Sequence, residues 1–213
     1  MTQLYSPNML KTFDKCPEKY FFKYIKNISM PVNENIFTFG KNIHALASYY
    51  LKGENIEQME KSLTQKEHEV WNYLKNTEYF RFECINTEYN LSVKIGNNFF
   101  GGRIDALVKN DNTYYILDYK TGSAPENAVY DFQTMIYLLS VKAFFLANNV
   151  VFVYIDLKNK QDVKIELSND LINEYENRLL QIESKISSGN YFPSKKDCKY
   201  CEYGKICYDK LLN

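Results

Sequence analysis

Apolar residues recur at helical spacing through residues 6–27, and the run breaks at Cys16-Pro17. Proline is tolerated at the first position of a helix, so a second helix is expected to start there. Helical spacing returns over residues 39–51 and 56–75, with Gly53 punctuating between them. The period then falls to two. Residues 88–95 and 99–109 read as a hairpin about the turn signal "GNN" at 96–98, and residues 113–120 read as a third strand beyond the polar turn "NDNT". A loop at 122–125, a long helix over 127–147, strands at 150–157 and 162–167, and an amphipathic helix over 171–187 complete the pattern. The expected fold is one mixed α/β domain over 1–213. It has a helical N-terminal part over 1–80, then βββ-α-ββ forming a mixed central sheet flanked by helices. A cysteine-rich tail over 188–213 follows.

Composition narrows this reading. A chain of 213 residues can bury a sizeable core. Its 26 Lys+Arg against 26 Asp+Glu exclude a broad basic coat and leave room for a local basic groove. No apolar run reaches the roughly 18 residues of a membrane span, so no membrane association is expected. The opening "MTQLYSPNML" is too polar for a secretory signal, and a cytoplasmic location is expected. Five cysteines are an odd count for a disulfide framework. Three of them crowd the tail as Cys198-x2-Cys201-x5-Cys207, which suits a metal site in a reducing compartment better.

Asp105 and Asp118 stand inside apolar, strand-like runs, where a carboxylate is costly unless paired or bound to a metal. Side chains alternate on a strand, so Arg103, Asp105 and Leu107 share one face, as do Ile116, Asp118 and Lys120. Antiparallel pairing across the polar turn brings both carboxylates to one end of the sheet. Two hard oxygen ligands and a backbone carbonyl suit Mg²⁺ or Mn²⁺. Such an ion acidifies a bound water and stabilises charge on a phosphate. Spacing alone also allows a buried ion pair of Lys120 with one aspartate. Gln133 and Tyr137 share a helix face at i, i+4 and offer contacts to the lysine or a phosphate, or are half-exposed amphipathic positions. His44 is a metal or phosphate ligand or a satisfied core histidine. Glu88 is a third carboxylate of the site or a solvent-facing charge, and His68 reads as solvated.

Taken in order, Gly40-x3-His44, Glu88, "GRIDA" with Asp105, "LDYKTG" with Asp118 and Lys120, and Gln133-x3-Tyr137 resemble the motifs of the RecB-like branch of the PD-(D/E)XK nuclease superfamily. The opening "YSPNMLKTFDKCPEKYFFKYI" is similar to that branch's N-terminal segment, and the resemblance runs from Ser6 to Cys207. It implies a restriction-endonuclease-like fold and metal-dependent hydrolysis of DNA, by an exonuclease acting on single-stranded or free-ended substrate. Asp105 and Asp118 would be metal ligands, with His44 and the Tyr119 carbonyl completing the shell. Lys120 would be the catalytic lysine, and Gln133 and Tyr137 would support it and the DNA. Aspartate at the second acidic position departs modestly from the commoner glutamate.

A tetrahedral centre in the tail needs a fourth thiolate, and Cys16 and Cys84 are the candidates. Cys16 lies beside a helix start, whose amides offset negative charge, whereas Cys84 in "RFECIN" reads as a buried apolar cysteine. The chain here resembles the iron–sulfur members of the branch, the AddB-type domains and CRISPR-associated RecB-like nucleases. That resemblance implies a [4Fe–4S] cluster on Cys16, Cys198, Cys201 and Cys207, although four thiolates by themselves suit zinc equally. The cluster would staple the first helix to the tail, worth on the order of 4–5 kcal/mol by analogy with a disulfide closing so long a loop. Lys195, Lys196 and Lys199 beside it offer phosphate contacts or form a solvated tail. A catalytically silent DNA-binding or scaffolding subunit, partnered in DNA repair or CRISPR adaptation, is the alternative function. A zinc-bound interaction domain is a third.

Overall fold

The computed structural model describes residues 2–31, 38–194 and 198–207. A short strand β1 (Leu4–Tyr5) precedes helices α1 (Pro7–Lys15) and α2 (Pro17–Tyr20), the latter running into a π turn at Phe21–Ile25. Helices α3 (Thr38–Leu51), α4 (Glu57–Lys61) and α5 (Gln65–Lys75) follow. Strands β2 (Glu83–Ile95), β3 (Asn98–Asn110) and β4 (Thr113–Lys120) form two consecutive hairpins. Helix α6 (Phe132–Phe145) crosses over to β5 (Asn149–Asp156), which pairs parallel to β4. Strand β6 (Gln161–Glu166) closes the far edge, and α7 (Asn169–Ser187) packs back on the sheet. The result is the mixed central sheet flanked by helices that the sequence pattern predicts.

The sheet separates two apolar layers. Leu107, Ile116, Phe152 and Tyr154 face α1, α6 and α7. Ala106, Val108, Leu117, Tyr119, Val151 and Val153 face α3 and α5, where Trp71 is fully buried. Strand β5 is buried on both faces from Val150 to Asp156, as a central strand covered by helices on either side must be.

Several boundaries differ from the sequence reading. Strand β1 lies within the part expected to be helical. Two residues carry no period, and only pairing of Leu4 and Tyr5 with Phe99 and Phe100 defines it. The expected helix over 56–75 is two helices. Thr64 opens a fresh one, its hydroxyl accepting from the Glu67 N–H while the Glu67 carboxylate accepts from the Thr64 N–H. Helix α6 begins at Phe132 rather than 127, because Asp131 caps it by accepting from the Gln133 N–H at 2.8 Å. Strand β2 begins at Glu83, five residues before the expected start. A register shift between Cys84 and Asn86, and the left-handed Glu88 (φ 50°), break the alternation that would have marked it.

One topological feature positions the site. Strands β1 and β4 lie on the same edge of β3: β1 pairs at Phe99–Phe100 and β4 from Ala106 onward. Between them β3 is unpaired on that edge over residues 101–105. The fork is covered from above by α6, where the Tyr137 hydroxyl donates to the Arg103 carbonyl at 3.0 Å. Close packing here needs glycine. A Cβ on Gly101 would stand 2.3 Å from the Leu91 carbonyl oxygen and 2.8 Å from the Ser92 Cα, which are backbone atoms that cannot swing away. Gly101→Ala is therefore expected to cost about 1–3 kcal/mol by overpacking the β2–β3 ladder. Thermal unfolding beside wild type checks this, and an unchanged midpoint would contradict it.

Candidate active site

Asp105 stands at the mouth of the fork, one position beyond the last β3–β4 pair, Ala106–Leu117, so that it faces Asp118. In place of a backbone partner, the Tyr119 N–H donates to Asp105 Oδ2 at 2.8 Å. Helix α3 brings in His44, with Nδ1 3.3 Å from Asp105 Oδ1 and Nε2 3.0 Å from the Tyr119 carbonyl oxygen. Burial of the imidazole lowers its pKa, but Asp105, then Asp118 and the Tyr119 carbonyl, outweigh this, and the net direction is upward. Strand β2 contributes Glu88, held between the pairs Thr87–Ala106 and Tyr89–Ile104 and therefore across from Asp105. Its left-handed backbone costs a non-glycine residue about 1 kcal/mol, a strain found where a side chain must be aimed. Glu88 Oε2 lies 3.0 Å from Arg103 Nε.

Asp118 is buried at 4 % exposure. Its Oδ2 is 2.7 Å from the Lys120 ammonium, and its Oδ1 accepts from the Gln133 side-chain amide. The other end of that amide, Oε1, accepts from Lys120 Nζ at 3.3 Å, so Gln133 ties the aspartate and the lysine together. Lys120 also stands 5.5 Å over the Tyr154 ring. Burial, and then the Asp105 charge, push the Asp118 carboxyl up to about 6, against the opposing pull of Lys120 and His44. A carboxylate that ionises reluctantly beside another carboxylate is one whose site favours a cation.

These residues form the floor of an open cleft of about 930 Å³. Donor atoms of His44, Glu88 and Asp105 lie within 4.8 Å of one another, the one such trio among the described residues. With Asp118 and the Tyr119 carbonyl beside it, this hard oxygen and imidazole set fits a divalent cation. Around the acidic floor stand Lys41, Lys52 and Arg103, and Ser6 and Asn8 bring the start of α1 to the rim. His44, Glu88, Asp105, Asp118, Tyr119, Lys120 and Gln133, all singled out in the sequence, thus meet at one place. Tyr137 lines the same cleft but bonds the β3 backbone rather than the lysine. Sequence reasoning missed Lys41, Tyr49 and Lys52. Lys41 and Tyr49 lie on α3 to either side of the His44 position and Lys52 just past its end, a signal indistinguishable in sequence from an ordinary solvated surface.

The tail cysteines lie elsewhere, where the tail docks on the first helices. Cys207 Sγ is 3.0 Å from Glu18 Oε2, two residues after Cys16. Lys19 pairs with Glu202 at 2.8 Å, Phe22 stacks on Tyr203 at 5.6 Å, and the Tyr203 hydroxyl donates to the Ile28 carbonyl. A single turn links Cys198 to Cys201, whose N–H donates to the Cys198 carbonyl. This packing sets the tail against the helix that Cys16 precedes, and four thiolates are a soft donor set of the kind a thiolate-bound centre takes. Cys84 is half-buried on β2 rather than a full core residue, because it sits at the strand's irregularity. Lys195 and Lys196 lie outside the described residues.

A mixed sheet with two facing aspartates on adjacent strands at a fork, and a lysine two positions past the second, is the core of a restriction-endonuclease-like fold. The chain belongs to the PD-(D/E)XK nuclease superfamily, which it matches over residues 5–208. It is similar to the CRISPR-associated exonuclease Cas4 of Francisella tularensis subsp. novicida (strain U112), 23% identical over 208 residues, covering 95% of this chain and 93% of that protein. The crystal structure of an exonuclease candidate from Eubacterium rectale shares the fold at a TM-score of 0.56 and 13% identity, over 98% of this chain and 87% of that one. No described helix is long and apolar enough to cross a membrane.

The buried carboxylate makes a stability prediction with a definite sign. Without a cation, the native state holds the Asp118 proton more tightly than the unfolded chain does. Stability from this group is therefore lost as pH rises from about 4 through about 6. Asp118→Asn should raise the melting temperature in EDTA at pH 7.5 and flatten that part of the pH profile. Added Mn²⁺ should stabilise wild type and not the variant. Equal pH profiles in EDTA for the two proteins would contradict the reading.

Proposed function

We propose that the protein is a Mg²⁺- or Mn²⁺-dependent deoxyribonuclease of the RecB-like branch, hydrolysing phosphodiesters as an exonuclease on single-stranded or free-ended DNA. The observation that carries this is the convergence of His44, Asp105, Asp118 and Lys120 on the floor of one cleft with a cationic rim. Asp105, Asp118, His44 and the Tyr119 carbonyl would hold the ion, with Glu88 within reach of the same position. When bound, the ion would supply charge for the scissile phosphate and acidify water. Lys120, fixed by Asp118 and Gln133, would orient the attacking water and stabilise charge developing on the phosphate. Gln133 is a positioning residue for both partners, and Tyr137 holds the fork that presents Asp105.

We further propose a [4Fe–4S] cluster on Cys16, Cys198, Cys201 and Cys207, structural rather than redox-active, with the tail as a staple on the N-terminal helices. The docking of Tyr203, Glu202 and Cys207 on residues 18–28 supports it. The name of the Francisella relative, a CRISPR-associated exonuclease, favours a CRISPR setting over DNA repair. A cytoplasmic location suits both the thiolates and the DNA substrate.

Cleavage of labelled single-stranded DNA with Mn²⁺ tests the site. Asp105→Ala should abolish it through lost ion binding. Lys120→Ala should slow turnover about 100-fold or more while ion titration changes little. DNA binding without cleavage by the wild type would favour the silent-subunit alternative and sink the enzyme reading.

For the cluster, anaerobically purified protein should be brown and carry close to four irons per chain, as Cys₄ ligation of a [4Fe–4S] cluster requires. Cys16→Ser should lose the iron and melt earlier, whereas Cys84→Ser should keep it. Zinc in place of iron, or iron lost only from Cys84→Ser, would overturn the ligand assignment.

A further inference from the structure

The α3 wall of the cleft carries side chains that the proposed chemistry does not use. At 100° per residue, Lys41, Ala45 and Ser48 fall on one narrow stripe of α3, which Lys52 continues just past the helix end, its N–H donating to the Ser48 carbonyl at 3.3 Å, with His44 on one flank and Tyr49 on the other. All six line the cleft. The stripe is about 16 Å long at 1.5 Å per residue, a few nucleotides of an extended strand. Neither lysine forms an ion pair with another described residue. Between them the wall is low: Ala45 is small, and the Ser48 hydroxyl is turned inward to Thr87 at 2.6 Å.

Tyr49 is the telling residue. Its neighbour Tyr50 is also partly exposed, but its ring packs on Trp71 at 5.3 Å and Phe80 at 5.9 Å, so the core accounts for it. Tyr49 is 43 % exposed and stacks on no described aromatic ring. A flat π face left in water between two ammonium groups that form no ion pair with a described residue matches a nucleobase between two phosphates. In a duplex, stacked neighbours cover both faces of each base, and only an unpaired base offers one to a tyrosine.

We propose that this face of α3 is a specificity-determining track for single-stranded nucleic acid entering the site. Tyr49 is its stacking platform, and Lys41 and Lys52 hold the flanking phosphates. The proposal rests on the nuclease reading above and names what makes the cleft select unpaired strand. The geometry also sets an axis: Lys41 and His44 lie toward the start of α3 and Lys52 just past its end, so the strand would lie along the helix past the carboxylates.

The test measures binding of labelled oligothymidylate and of a blunt duplex by fluorescence anisotropy, in the Asp118→Asn background so that neither is cleaved. Tyr49→Ala should weaken single-strand binding by about fivefold to a hundredfold, and leave duplex binding within about twofold. Tyr49→Phe should restore the single-strand affinity. Lys52→Ala should lower the slope of log affinity against log salt by about 0.7 for the single strand. Unchanged single-strand affinity in Tyr49→Ala would overturn the track, as would equal losses for both substrates. If the parent protein bound neither form, the nuclease reading itself would fall, a result distinct from failure of the track alone.

Discussion

Two carboxylates facing each other across a sheet are tolerable only if something other than water stabilises them, and the structure is arranged around that requirement. Asp105 obtains the Tyr119 N–H because β4 stops pairing with β3 at the fork, which frees that amide for a side chain. Asp118 obtains Lys120 from its own strand and Gln133 from the crossover helix. Each neighbouring element delivers one group to the pair: α3 brings His44, β2 brings Glu88, and α6 brings Gln133. The burial that raises the Asp118 pKa also makes a cation the natural occupant, because the ion offsets a charge that protein dipoles alone leave under-compensated.

The electrostatics of the cleft follow from the same arrangement. An acidic floor repels a polyanion, and the rim of Lys41, Lys52 and Arg103, with the start of α1, reverses that at the entrance. The chain as a whole is neutral, so this polarity is local, and low-dielectric walls concentrate it within the cleft. Arg103 is shared between the two regions through its contact with Glu88, which links rim to floor. Away from the cleft lining, the tail docks on the helices that follow Cys16, so the N-terminal segment that supplies the fork's β1 is anchored at both ends.

The succession of strands and helices after residue 88, the hairpins, the helix between the third and fourth strands and the acidic pair with its lysine were all legible as sequence. Each rests on local chemistry: period-two alternation, turn residues at 96–98 and 110–113, and i, i+2 or i, i+4 spacing on a known element. Misplaced boundaries have equally local causes. The capping box at Thr64–Glu67 was present in the sequence and splits one expected helix in two. The Asp131 cap shortens another, and the irregularity at Cys84–Asn86 hides the start of β2.

Spacing alone thus determined on which faces of their own elements the candidate residues lie, because that depends on backbone geometry within a few residues. Only the tertiary structure decided what they do together. Whether His44 was a core residue or a neighbour of Asp105 depended on α3 packing over the end of β4. Whether Glu88 faced solvent or the site depended on a left-handed residue that no period reveals. The fork between β1 and β4, and the polar α3 face that becomes a cleft wall opposite it, arise from contacts between residues nearly a hundred positions apart. No local pattern encodes such contacts, since they are set by which apolar faces bury best against one another once the whole chain has collapsed.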